Sequence, residues 1–158
     1  MDVALQLAVE HLIARAAHLI DDDRLEEWAG LFVEDGVYRI TTAENVERGL
    51  PLSIVSADSR AMLRDRVSAL RHANIYEAQR YRHAVSCTVI EQVNAGVASV
   101  VTNFIVVRTM HTGEQILFAT GRYLDRIRIE AEGGQPQFEQ RTVVLDSRAV
   151  DTLLAIPL

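Results

Sequence analysis

Residues 80–83, RYRH, set His83 beside Arg80, Tyr81 and Arg82, with Tyr76 a few positions upstream. Imidazole is the side chain whose charge changes near neutral pH, so His83 is the first candidate for proton transfer. Two carboxylates of the DDD run, Asp22 and Asp23, and the phenol of Tyr38 could join it around a small substrate, a set suited to proton abstraction or dehydration. Each partner also has a plainer role. The DDD run supplies N-cap oxygens and negative charge for a second helix, and Tyr38 alternates with apolar neighbours as a strand aromatic does. His11, His18, His72, His83 and His111 have no metal-ligand spacing: HxxxH, HExxH and HxH are absent. Cys87 is the single cysteine, and its AVSCTVI surroundings read as a buried thiol. Nothing matches a glycine-rich phosphate loop, a GxSxG elbow or a CxxC pair.

The elements that would position these residues are set by hydrophobic periodicity. From Val3 to Ile20 apolar residues recur at steps of three and four, which predicts an amphipathic helix. A second, short helix comes next in RLEEWAGLF with Leu25, Trp28, Leu31 and Phe32 on one face, ended by Gly36. VYRIT is a first strand, TAENVERGLP a loop and LSIVS a short strand. Asp58 or Ser59 caps a third helix, RAMLRDRVSALR, which buries Met62, Leu63, Val67 and Leu70. HAVSCTVIEQV, ASVVTNFIVVRT, QILFATGRYLDRIRIE and FEQRTVVLDS are β-branched or aromatic runs parted by turns at NAG, HTGE and EGGQP. Connections this short require antiparallel neighbours. The order implies an α+β domain over 1–158, a curved antiparallel sheet covered by three helices, coiled into a cone that leaves a pocket unless large side chains fill it.

A net charge of −6 with scattered arginines argues against nucleic acid as a partner. All 16 basic residues are arginine, which suits forked contacts at interfaces and equally reflects genome composition. One cysteine cannot close an internal disulfide, and no apolar run reads as a membrane span or signal peptide, so the expected location is the cytoplasm. The ending AVDTLLAIPL is apolar and implies burial in the core or against a partner.

Several stretches together resemble the small, or beta, subunits of Rieske-type aromatic-ring-hydroxylating dioxygenases. They are DDDRLEEWAGLFVEDGVYRI, DSRAMLRDRVSALR, YRHAVS and FATGRYLDRIRI. ENVERGLPL, NIYEAQRYRH and DTLLAIPL are similar to the branch acting on aromatic carboxylates of the terephthalate, salicylate and anthranilate type. The resemblance implies a cone like that of nuclear transport factor 2 and the SnoaL-like cyclases. It further implies a non-catalytic role in an assembly of three large and three small subunits, fed by a reductase or ferredoxin. The large subunit would carry the Rieske [2Fe-2S] cluster and a mononuclear Fe(II). A Rieske cluster takes two cysteines and two histidines, and this chain has one cysteine. On that reading Tyr81, Arg82, His83, Leu153, Leu154, Ile156 and Leu158 are expected at subunit contacts, with Arg82 and His83 orienting buried hydrogen bonds or facing a neighbour. The alternative is a stand-alone dehydratase-like enzyme, or a ligand-binding protein, using the cone with Asp22, Asp23, Tyr38 and His83.

Overall fold

The first helix forms where the apolar spacing puts it. In the computed structural model, which describes residues 1–73, 78–131, 134–148 and 156–158, α1 spans Val3–Asp21. Asp2 caps it, its carboxylate accepting from the Leu5 N–H at 3.1 Å. Val9, Leu12, Ile13, Ala16, Leu19 and Ile20 are buried, each valine, leucine or isoleucine among them contributing about 1.5–3 kcal/mol. Over an 18-residue window α1 has a mean hydropathy of 1.3, so by length and composition it could cross a membrane. That corrects the expectation that no apolar run is long enough, although the same stripe is buried in the core here.

The DDD run closes α1 and leaves the next helix uncapped. The Asp22 N–H donates to the His18 carbonyl (2.8 Å) and the Arg24 N–H to the Leu19 carbonyl (2.8 Å). Asp23 takes the left-handed φ of 59° that such a stop requires. The second helix, α2 (Leu25–Ala29), has Arg24 at its N-cap with no side-chain cap. It is shorter than expected, because Phe32 already opens β1 (Phe32–Thr42). Gly36 lies inside that strand rather than ending a segment. A Cβ there would sit 2.9 Å from the Val33 carbonyl oxygen, at the irregularity where pairing jumps from Phe32↔Phe138 to Val37↔Gln140.

A five-residue helix, α3 (Ala43–Glu47), occupies part of the segment read as loop, capped by Thr42, whose Oγ1 accepts from the Asn45 N–H at 3.2 Å. Among the described residues the sheet is thus accompanied by four helices. After β2 (Val55–Ala57), Ser59 caps α4 (Arg60–Ala73) through its Oγ and the Met62 N–H (3.1 Å). Leu63 and Val67 are buried, but Met62 is 43% exposed, against expectation. The long strands come last, as β3 (Gln79–Asn94), β4 (Val97–Met110), β5 (Gln115–Arg128) and β6 (Gln137–Leu145).

The strands form one sheet in the order β2-β1-β6-β5-β4-β3. Strands β3 to β6 are a meander of antiparallel neighbours, as read from the turns. The β1–β6 pair is parallel, so the sheet is mixed. Those two strands are joined through α3, β2, α4 and the strands β3 to β5, and a long connection allows a parallel pairing that a hairpin cannot make. Register shifts at Ser86/Val89, Ile90/Gln92, Val106/Val107 and Arg126/Ile127 interrupt the ladders, and such bulges increase twist and bend the sheet. Cys87 lies at the first of them, exposed and at φ 57°, and not in the core as its neighbours suggested. The extra residue breaks the alternation on which that reading rested.

Candidate functional site

His83 sits on β3 where that strand crosses the end of α1. Its Nδ1–H donates to Asp21 Oδ1 at 2.6 Å, and its backbone N–H donates to Asp21 Oδ2 at 2.9 Å. One carboxylate therefore holds both the ring and the backbone of His83. The two side chains are 0% and 3% exposed. His83 Nε2 is buried with no hydrogen-bond partner among the described residues. The acid that meets His83 is Asp21, one step before the two carboxylates that the sequence suggests.

Asp22 and Asp23 lie at the surface corner and do not reach His83. Asp23 receives Arg71 of α4 on both its carboxylate (2.7 Å) and its carbonyl (2.6 Å), while Glu26 takes the rest of the guanidinium at 2.9 and 3.1 Å. Arg71 thereby ties α4 to the α1–α2 corner, and its forked bonds hold the Glu26 carboxyl below its ordinary value. Tyr38 is also occupied. Its hydroxyl donates to the Leu158 backbone oxygen and accepts the Leu158 N–H, both at 3.0 Å. Burial drives the phenol well above its ordinary pKa, which suits an anchor and not a proton donor. The structure does not assemble Asp22, Asp23, Tyr38 and His83 into one site.

The cone is filled by a charged pair that the sequence reading missed. Arg141 of β6 donates from Nε and Nη2 to the two oxygens of Asp125 on β5, at 2.9 and 2.7 Å. Arg141 and Asp125 are 1% and 3% exposed. Burial pushes the Asp125 carboxyl up, and the fork from Arg141 opposes that shift. The guanidinium carbon lies 3.8 Å from the Tyr123 ring centre and 4.3 Å from that of Phe138, so aromatic faces replace the water it lost. Phe104 stacks on Tyr123 at 4.5 Å, and Trp28 meets Phe32 and Tyr38 edge to face. The inward signal was present: Asp125 alternates with Tyr123 and Ile127, and Arg141 with Val143, all facing the core.

Space inside the cone is small, and a larger cleft of about 570 Å³ lies outside it, where the end of α1 meets the start of β3, lined by Asp21, Asp22, Asp23, Arg80, Tyr81 and Arg82. A cavity of about 40 Å³ lies between Trp28, Tyr38, Leu63, Val67, Ile156 and Pro157. That volume holds roughly two or three waters, whereas benzene needs an engineered cavity of roughly 150 Å³. Tyr81 is buried against Phe118, 5.3 Å between ring centres. Ile156 and Leu158 pack into the same core. Arg82 alone of the described expected interface residues is exposed, and Leu153, Leu154 and Tyr76 lie outside the described residues. Among the described residues no cluster of three or more His, Cys, Asp or Glu side chains is placed to hold a metal ion.

Comparison with known proteins agrees with this architecture. The model of the ring hydroxylating beta subunit family matches residues 15–152. The chain is 46% identical over 145 residues to the terminal oxygenase component subunit beta 1 of terephthalate 1,2-dioxygenase from Comamonas, covering 92% of this chain and 93% of that one. It is 40% identical over 139 residues to the anthranilate 1,2-dioxygenase small subunit of Burkholderia cepacia, with 88% and 85% covered. A crystal structure of a beta subunit assigned to an aromatic-ring-hydroxylating dioxygenase of Novosphingobium aromaticivorans superposes with a TM-score of 0.87 at 37% identity, covering 97% and 96% of the two chains. With its mixed sheet coiled around a filled core and its likeness running almost end to end, the chain belongs to the ring hydroxylating beta subunit family.

Proposed function

We propose that this chain is the non-catalytic small subunit of a multicomponent dioxygenase that hydroxylates an aromatic carboxylate in the cytoplasm. The observation carrying the proposal is the 46% identity, over 92% of the chain, to a beta subunit of terephthalate 1,2-dioxygenase. The filled cone supports it, because the charges of Asp125 and Arg141 at its centre already satisfy each other. In this reading the chain's chemistry is mechanical. Asp21, Arg71, Tyr38 and the Asp125–Arg141 pair fix helices, strands and the 156–158 segment into a rigid body. Three such bodies hold three large subunits at the spacing that electron transfer between them needs. The large subunit carries the Rieske cluster and the mononuclear iron, and a reductase or ferredoxin supplies electrons.

Co-expression with a large subunit of the aromatic-carboxylate dioxygenase class tests this. The expected product is a red-brown heterohexamer that hydroxylates aromatic carboxylates, while the small chain purified alone is colourless and inert. Turnover by the isolated small chain would return the stand-alone enzyme reading.

A further inference from the structure

Trp28 carries a hydrogen-bond donor into the core that no acceptor meets. The residue lies on α2 and is 1% exposed, and its indole Nε1 is buried with no hydrogen-bond partner among the described residues. An indole N–H can only donate. Buried donors are ordinarily matched by an acceptor, supplied by the protein or by something bound to it. Trp28 lines the cavity of about 40 Å³ between α2, α4 and β1, so a guest of that cavity is the natural source of the acceptor.

A second donor stands on the same wall. Arg66 of α4 lines the cavity and is exposed, which puts it where the cavity opens. Its guanidinium makes no hydrogen bond or ion pair among the described residues. Burial raises the Tyr38 phenol, and the Arg66 charge is among those that oppose the rise, so the positive end lies near that hydroxyl. Acceptors are scarce by contrast. The Tyr38 hydroxyl is already engaged in both directions by Leu158, at 3.0 Å each way. The other side chains around the cavity, from Ile40 and Val55 to Ile156 and Pro157, are aliphatic. A water would need acceptors for its own protons as well as donors. An anion needs donors alone.

We infer that this cavity is a site for a small monovalent anion, a halide or a carboxylate of formate size, held between the Trp28 Nε1–H and the Arg66 guanidinium. Size sets the class. About 40 Å³ admits a guest the size of roughly two or three waters and excludes an aromatic carboxylate, since benzene alone needs roughly 150 Å³. Charge-assisted hydrogen bonds from a guanidinium favour an anion over a neutral guest of the same size. Bound there, the anion ties α4 to α2 beside the 156–158 segment, so it steadies the fold and takes no part in turnover. The site stands apart from the small-subunit reading and survives its failure.

Trp28 is the only tryptophan, so fluorescence of the full chain reports on this site alone. The chain is titrated with sodium bromide, a contact quencher, at an ionic strength held constant with gluconate, which is too large for the cavity. Melting temperature is followed in parallel with bromide, formate and benzoate. Quenching should saturate, and bromide or formate should raise the melting temperature, as a ligand confined to the folded state does. Benzoate should leave it unchanged. Arg66→Met should weaken bromide binding about tenfold with circular dichroism unchanged, and Arg66→Lys should restore most of the affinity. Arg122→Met, at an exposed arginine of β5, should bind as the parent does. Trp28→Phe keeps an aromatic ring and removes the donor, so most of the rise with bromide should disappear. Should that variant fail to fold, the Arg66 pair and its control decide the outcome by themselves. Quenching that stays linear in bromide, Arg66→Met binding as tightly as the parent, or a folded Trp28→Phe keeping the full rise would overturn the site and leave the cavity to water. Equal stabilisation by benzoate would overturn the size limit on which the ligand class rests.

Discussion

At the scale of single residues, the strongest commitments in the molecule are two buried carboxylates with dedicated partners. Asp125 and Arg141 form a forked pair inside the cone. Removing one member strands the other's charge, so Arg141→Met or Asp125→Leu alone should destabilise the fold by about 3–5 kcal/mol. The double replacement Asp125→Leu/Arg141→Met should recover most of that loss, and a denaturant double-mutant cycle measures the coupling. Asp21 depends on His83 in a similar way. His83→Ala removes the ring donor from a carboxylate that is 3% exposed, and should lower stability by about 2–3 kcal/mol. Assembly yield should fall with it, while turnover per intact heterohexamer stays near the parent value. A His83→Ala heterohexamer of normal yield that binds substrate without turning it over would show that the ring transfers protons. The functional candidates are half legible in the sequence. His83 stands out by its type and neighbours, but the sequence points to a partner one or two residues too late along the DDD run, because capping preference draws attention to the helix that starts there and not to the last residue of the one that ends.

Among the elements, the β5–β6 hairpin is the one whose stability should depend most visibly on acid. Glu139 accepts from Arg128 at 2.8 Å and from Arg126 at 3.1 Å, across the pair of strands. The bonds from Arg128 first, and those from Arg126, hold the Glu139 carboxyl below its ordinary value. A depressed carboxyl stabilises the folded chain above its unfolded pKa and loses that contribution as pH falls through the folded one. Amide protection factors in Gln137–Leu145, exchange rates corrected for the intrinsic pH dependence, should therefore fall as the medium is taken below the ordinary carboxylate range, and Glu139→Gln should flatten that response. Equal pH dependence in the variant would remove the hairpin clamp from the account. Strand positions here are readable because alternation and turn residues report them directly. The parallel β1–β6 pairing is not, since partners about a hundred residues apart leave no local signal, and α3 escapes notice because five residues carry no apolar stripe. Cys87 is misplaced by its pattern for a related reason: a bulge shifts the phase from which burial is inferred.

For the whole molecule, the central claim is that the cone is a spacer with a filled interior, so that its contribution to catalysis is made through its surfaces. The apolar bulk of Trp28, Phe104, Tyr123 and Phe138, the paired charges between them and the anchored 156–158 segment all act to keep it rigid and closed. A reconstitution titration tests this most directly: product formed from an aromatic carboxylate by a fixed amount of the iron-bearing large subunit, measured as the purified small chain is added. The account predicts no product from the small chain alone and a rise that saturates at one small chain per large one. Full activity of the large subunit without this chain, or product from this chain in the absence of the large subunit, would contradict it.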